Sequence, residues 1–250
     1  MTRVACYRLV LVLGAVLLLE LLCRVGVIDR LTMPPPSQIL ADLWLMLRAG
    51  TMYPAMAKTL ANVVIAFSTA VAAGLAAGVA IHRWNALRLG LDPLFATYYA
   101  VPVFAFYPLL IILFGLGDTP QILIGFMLAV VAVIMNTLNG LDRVSRVLMK
   151  TARIHRLGSL ATALKITLPC AAPYVLTGVK LAVAYAFIGI IGAEFIMSRT
   201  GIGYEISFAY NNFDNATMYP LILLILVVST AVNTALSHWE KVLMRRRGQV

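Results

Sequence analysis

Side chains that could carry out chemistry are few in this sequence of 250 residues, and they lie far apart. The three histidines, His82, His155 and His238, stand at the edges of apolar segments, and no cluster of His, Asp and Glu converges inside one. The three cysteines lack the spacing of metal ligands. The sequence also has no G-x-x-x-x-G-K-[ST] phosphate-binding motif. We therefore expect no catalytic residue, no metal site, no bound cofactor and no ATP hydrolysis by this chain.

The composition indicates a membrane protein. Hydrophobic residues make up 62% of the chain and charged residues 12%, with a mean hydropathy of +0.92, whereas soluble domains are about 45–50% apolar and about 25% charged. A soluble core of this size cannot hide the excess, so a bilayer is the natural solvent. The net charge of +10 lies in short loops between apolar runs, which favours membrane topology over nucleic-acid binding.

Six segments are long and apolar enough to cross a bilayer, which takes about 20 residues. The first is interpreted as a retained helix and not a signal peptide, because no A-x-A cleavage site follows it. The third and fourth are separated only by G-L-G-D-T-P, which predicts a tight hairpin. We predict an all-α membrane protein, with residues 1–250 as a single transmembrane domain of about six helices. The predicted spans are 9–28, 59–81, 94–114, 121–138, 173–196 and 217–238.

The distribution of Lys and Arg predicts the orientation. With the N-terminus in the cytoplasm, an even number of helices returns the C-terminus there, and 15 of the 20 cations fall on the cytoplasmic side. Both termini are therefore predicted to be cytoplasmic.

Two segments on the predicted outer side have local structure of their own. Within the outer interfacial segment 29–57, prolines precede an amphipathic stretch that Ser37 can cap and Gly50 can close. The polar and aromatic stretch 198–216 is predicted to form a re-entrant turn or a short helix.

The longest polar stretch, residues 139–172, lies between the fourth and fifth predicted spans. A loop of this length is expected to have a function or a structure of its own. Arg146 to Lys165 is rich in good helix formers, Gly158 interrupts it, and Pro169 and Pro173 are expected to stop it before the next span. We predict two short cytoplasmic helices joined by a turn.

This loop resembles the cytoplasmic signature E-A-A-x3-G-x9-I-x-L-P of permease subunits in bacterial binding-protein-dependent ABC importers. The spacing is kept from Lys150-Thr151-Ala152 through Arg156 to Ile166-Thr167-Leu168-Pro169. Lys150 stands in place of the family's Glu, Thr151 in place of its first Ala and Arg156 in place of its Gly. The basic residues can still pair with acidic groups on a partner, or the turn has moved to Gly158.

Three further segments are similar to permeases of the nitrate/sulfonate/taurine type, in the same order along the chain. They are M-P-P-P-S-Q-I-L-A-D-L, L-D-P-L-F-A-T-Y-Y-A-V-P-V-F-A-F-Y-P-L-L-I-I-L-F-G-L-G-D and A-E-F-I-M-S-R-T-G-I-G-Y-E-I.

The resemblance implies a permease subunit that forms a translocation pathway by alternating access in the inner membrane. It implies a second permease subunit, identical or different, a periplasmic or lipid-anchored substrate-binding protein, and a cytoplasmic ATP-binding subunit that holds ATP and magnesium. The substrate would be a small anion, a sulfonate or a vitamin-precursor-like solute. A gradient-driven secondary transporter or channel and an intramembrane enzyme are the alternatives; the first predicts inverted repeats or paired acids at mid-membrane. The loop residues that would contact the ATPase are Lys150, Thr151, Ala152, Arg153, Arg156, Leu157, Gly158 and Pro169.

Four residues are candidates for the pathway or a gate. Glu194 is an acid in an apolar segment, either on the pathway or hydrogen-bonded to the S-R-T-G-I-G turn and paired with Arg199. Pro102 and Pro108, with Phe106 between them, predict a bent, aromatic pore wall or ordinary helix packing within the third span.

Three other features predict contacts. Gly74 and Gly78 form a small-xxx-small pattern, which is weak support for a dimer seam. Glu20 and Arg24 are spaced to pair, and Lys180 is expected to extend toward cytoplasmic lipid phosphates.

Overall fold

A computed structural model describes residues 3–29, 32–98 and 100–246, and every regular element within these ranges is helical. Residues 1–2 and 247–250 of the predicted cytoplasmic termini, and Arg30 and Leu31 of the predicted outer segment, lie outside the described residues. The α-helices are α1 (Arg3–Val25), α2 (Pro36–Ala49), α3 (Tyr53–Arg83), α4 (Asn85–Tyr98), α5 (Tyr107–Phe114), α6 (Asp118–Asp142), α7 (Arg146–Ile154), α8 (Ser159–Thr162), α9 (Leu168–Met197), α10 (Ile202–Asn211) and α11 (Asn215–Arg246).

Four helical stretches among the described residues are long and apolar enough to cross a membrane. They are Tyr53–Arg83, Asp118–Asp142, Ala163–Ile196 and Asn215–Lys241. The prediction of an all-α membrane protein is therefore confirmed, while the count of six spans and the single domain stay predictions.

The chain divides into two compact units. Unit 1 comprises the chain up to Lys58 together with Glu194–Val228, and unit 2 comprises Thr59–Ala193 together with the chain from Ser229 onward. Each unit is described below by its own contacts.

Unit 1 has an apolar core in which α2, α10 and α11 meet. Leu43, Ile202, Ile206, Leu221 and Leu224 are its buried members. Where such a core is surrounded by water and not by lipid, the burial of apolar surface is the main favourable contribution to its free energy of folding.

The predicted cap of α2 is wrong. Pro35 is the N-cap residue and Pro36 opens the helix, a position where the missing N–H of proline has no cost. Ser37 lies inside the helix instead and binds Glu20, donating from its N–H at 2.9 Å and from its hydroxyl at 2.7 Å. Gly50 closes the helix as predicted, with a φ of 72°, and the predicted pair of Glu20 with Arg24 is present at 2.6 Å.

In unit 2, α3 packs closely against α6 through two glycines of α3. A Cβ atom placed on Gly74 would lie 2.6 Å from Cβ of Val133, and one on Gly78 would lie 2.8 Å from Cβ of Thr137. The small-xxx-small pattern thus accounts for contact between helices of one chain. A dimer seam at this pattern stays a prediction.

The predicted third span is not one helix. Helix α4 ends at Tyr98, a 3₁₀ turn covers Val103–Phe106, and α5 begins only at Tyr107. Pro102 has no N–H to donate and disfavours helical backbone at the residue before it, so the helix breaks there and does not bend. The predicted hairpin is confirmed, because α5 ends at Phe114 and α6 begins at Asp118.

Candidate functional site

The segment with the signature spacing forms a helix, a turn and a second helix, as predicted. Helix α7 begins after Ser145, whose hydroxyl accepts the N–H of Val147 at 3.2 Å. Residues 155–158 form the turn, and α8 begins at Ser159. Both helices lie in unit 2, and α7 lies outside the four candidate membrane stretches.

A left-handed residue closes α7, and that residue is Arg156. The N–H of Leu157 bonds to the carbonyl of Ala152 at 2.9 Å, and the N–H of Arg156 bonds to that of Arg153 at 3.0 Å. This pair of bonds defines a Schellman motif, which requires a left-handed residue after the helix. Arg156 supplies it with a φ of 50°. The turn has therefore not moved to Gly158, whose φ lies outside the left-handed range.

The second helix does not stop at the prolines, which corrects a further prediction. A π-helical segment, Ala163–Thr167, joins α8 directly to α9. The N–H of Leu168 bonds to Ala163, five residues back, and this wider turn accommodates the ring of Pro169 at the start of α9. Pro173 lies inside α9, and the hydroxyl of Thr177 donates to the carbonyl of Pro173 at 3.1 Å.

Burial divides the predicted contact residues into three sets. Ala152 is 2% exposed, which explains why the signature needs a small residue at that position. Leu157 and Pro169 are half-buried. The remaining members are exposed: Lys150, Thr151, Arg153, Arg156 and Gly158.

An ion-pair cluster lies at the start of this loop, and the sequence reasoning missed it. Asp142, the last residue of α6, is bound by both terminal nitrogens of Arg88 from α4, and Nδ1 of His82 lies 3.3 Å from its carboxylate. The hydrogen bonds to Asp142 raise the pKa of Arg88 above its ordinary value. Because Arg88 and Asp142 are 54 residues apart, no local spacing predicts the pair.

Two further contacts of unit 2 were not predicted. The guanidinium of Arg143 lies 5.7 Å from the ring centre of Tyr174, which tethers the loop to α9. Lys180 binds Glu240 at 2.5 Å, so the expectation that it extends toward lipid phosphates is wrong.

The pathway candidates of unit 2 lie in sequence next to two buried side chains. Pro102, Phe106 and Pro108 are exposed, whereas Val103 and Tyr107 are buried against α6. The exposed side chains are available to line a surface, and nothing in their contacts assigns them to a pathway.

Glu194, the candidate in unit 1, is fully buried at the N-terminus of α10. Its carboxylate accepts the N–H of Gly203 at 3.0 Å, and a helix N-terminus favours a negative charge. This contact agrees with the structural interpretation of Glu194, while pairing with Arg199 stays a prediction.

The comparison with protein families decides which family the chain belongs to. Residues 70–249 match the model of the family described as "Binding-protein-dependent transport system inner membrane component". The chain belongs to this family. The resemblance to ABC importer permeases of the nitrate/sulfonate/taurine type, predicted from the motifs, is confirmed, and the chain is a multi-pass inner-membrane protein.

Curated relatives of this inner-membrane component are transport permeases. The chain is 30% identical over 178 residues to the nitrate import permease protein of Leptolyngbya laminosa, covering 71% of this chain and 64% of that protein. It is 26% identical to the taurine transport system permease protein of Escherichia coli, covering 89% and 83%. It is also 26% identical to the putative aliphatic sulfonates transport permease protein of Bacillus subtilis, covering 89% and 80%. The chain thus spans less than two thirds of the nitrate permease.

Proposed function

We propose that this chain is the permease subunit of an ABC importer and forms the translocation pathway by alternating access. The observation that carries the proposal is the α7–turn–α8 segment. It keeps the signature spacing and holds most of its contact residues exposed outside the candidate membrane stretches. A separate ATP-binding subunit would bind this segment, and the chain itself would not hydrolyse ATP.

The contacts at the ends of the segment support a role in force transmission. Its beginning is held through Asp142 and Arg88, and its end continues through the π-helical turn into α9 without a break. A push on a compact helix pair that is joined to a long helix can displace that helix as a rigid body.

The orientation and the partners belong to the same proposal. The segment and both chain termini would lie in the cytoplasm, a second permease subunit would complete the pathway, and a periplasmic or lipid-anchored binding protein would deliver the solute. The relatives are named for nitrate, taurine, aliphatic sulfonates and bicarbonate. These names favour a small anion or sulfonate as the substrate, with a vitamin-precursor-like solute as the remaining option.

Co-purification tests the proposal. The tagged chain is extracted gently from its native host, and a retained ATP-binding subunit is identified by mass spectrometry. Replacing residues 150–162 by a Gly/Ser linker is expected to abolish retention, while size-exclusion chromatography checks that the variant remains folded.

A matched pair of point variants sharpens this test. Ile154, 79% exposed on α7, and Ile112, 80% exposed on α5, are each replaced by alanine. Retention is expected to fall only for I154A. If the wild-type chain retains no ATPase in several detergents, the proposal fails, and a gradient-driven transporter or channel becomes the hypothesis to test.

A further inference from the structure

Helix α7 presents an outward face on which apolar and cationic side chains lie side by side. Val147, Lys150 and Ile154 follow one another at spacings of three and four residues, so they share a face. Val147 is 69% exposed and Ile154 is 79% exposed. Ala152, the buried residue of the helix, points away from them. Helix α7 has nine residues, three of them cations, so it is too short and too charged to cross the hydrocarbon of the bilayer, and its exposed apolar side chains need another explanation.

The charge around this face is of one sign. Between Arg143 and Lys165 the sequence contains six Lys and Arg residues and no Asp or Glu. The nearest preceding acid, Asp142, is bound by Arg88. The cations of the face therefore have no acid within their own segment, and a partner that buries the face must supply negative charge.

Arg156 adds a second, independent observation. Its φ of 50° is a conformation that glycine adopts without strain and other residues avoid. Its side chain is nevertheless a long cation that is exposed at the end of the face. Strained residues of this kind are concentrated at sites with a function. A cation therefore stands at a position where glycine would be free of strain.

We propose that this face docks into an apolar groove of the ATP-binding subunit whose rim is acidic. Val147 and Ile154 enter the groove, and Lys150, Arg153 and Arg156 meet carboxylates on the rim. The inference rests on the proposed function and adds the charge of the partner. The signature has Glu where this chain has Lys150. The partner of this chain therefore carries a negative charge opposite Lys150, where the partner of a signature Glu would carry a positive one.

An anionic membrane surface is the competing occupant. A helix that lies on a membrane carries large apolar groups, such as Trp, Phe and Leu, on one face and its cations on the other. In α7, Lys150 borders the strip formed by Val147 and Ile154, and the apolar side beyond that strip is buried at Ala152. A strip of two largely exposed aliphatic side chains is narrow for a lipid surface and suits a groove with a charged rim. The preference for cytoplasmic cations accounts for their number but not for the apolar side chains between them.

Reversal of one charge tests the proposal, because K150E restores the residue of the family signature. The affinity of the full chain for its co-purified ATPase is measured in nanodiscs of zwitterionic lipid at low and high salt. We expect K150E to lower the affinity by ~10-fold or more, K150Q by a smaller factor, and high salt to weaken the wild type more than K150E. R83E, which reverses another exposed cation of unit 2, is the control and is expected to change the affinity less than ~2-fold.

The outcomes separate the two proposals. Unchanged or tighter binding by K150E overturns the acidic rim while leaving the proposed function intact, whereas a wild-type chain that binds no ATPase refutes the proposed function itself. An effect of K150E that arises only in nanodiscs with anionic lipid assigns the face to the membrane and also overturns the inference. A cross-link from position 150 should reach an Asp or Glu of the ATPase, and changing that acid to Lys should restore binding to K150E.

Discussion

The carboxylate of Glu194 occupies the space into which a side chain at position 201 would project. A Cβ atom built on Gly201 would lie 2.3 Å from Cδ of Glu194 and 2.4 Å from Oε1. Gly201 also has a φ of 100° and is the N-cap residue of α10. The absence of a side chain lets the carboxylate reach the N–H of Gly203, so the acid and the glycines of A-E-F-I-M-S-R-T-G-I-G-Y form one structural motif in unit 1.

Replacing Gly201 by alanine is expected to destabilise the protein by about 2–5 kcal/mol, because backbone strain and the clash with Glu194 act together. Thermal unfolding in detergent measures the change. G26A is the control, because Gly26 has a φ of 82° and a Cβ atom added to it would have no other atom within 4 Å. It should show only the backbone term of about 1–2 kcal/mol. Equal losses for the two variants would show that the contact with Glu194 is unimportant.

Two substitutions at Glu194 distinguish a structural role from a role in transport. E194Q keeps a side-chain oxygen that can accept the Gly203 N–H, so a loss of about 1 kcal/mol is expected. E194A leaves that N–H unpaired and opens a cavity, and its loss should be about 2–4 kcal/mol. The structural interpretation expects uptake of labelled substrate to follow the amount of folded protein. Uptake that disappears in E194Q while the melting temperature is unchanged would place Glu194 on the pathway.

Alanine at Gly74 should loosen the packing of α3 against α6. The added Cβ would lie 2.6 Å from that of Val133, and overpacking of this kind costs about 1–3 kcal/mol. Gly90 in α4 has no atom within 4 Å of such a Cβ, so G90A is expected to be neutral or to stabilise by up to about 1 kcal/mol. A change in subunit association for G74A with an unchanged melting temperature would instead favour the dimer seam.

The sequence predicted the elements that have a local cause. The apolar runs, the hairpin through Gly115 and Gly117, the closing Gly50 and the turn before Gly158 all follow from residues close in the chain. The helical character of the basic loop follows in the same way from its strong helix formers.

The predictions were wrong for prolines and a polar residue whose effect depends on the surrounding structure. Pro102 breaks a helix that was expected to bend, while Pro169 is accommodated by a π-helical turn that was not expected. Ser37 binds Glu20 and does not cap α2. The pair of Arg88 with Asp142 joins α4 to α6, which meet only in the folded chain. No spacing within either helix predicts it.

Glycine at position 156 should stabilise the end of α7. Arg156 adopts a left-handed φ of 50°, which is unfavourable by about 1–2 kcal/mol for a residue with a Cβ atom. R156G relieves this strain and keeps both hydrogen bonds of the Schellman motif. We expect slower hydrogen–deuterium exchange of the backbone amides of residues 150–158, together with weaker binding of the ATPase because a cation is lost.

The variant R153G is the matched control, since it removes the same charge from inside the helix. There glycine is unfavourable by about 1 kcal/mol relative to good helix formers, so exchange should become faster. Exchange that becomes faster in both variants would contradict the role of the left-handed backbone. Slower exchange in R156G with tighter ATPase binding would show that the relaxed turn matters more for docking than the charge of Arg156.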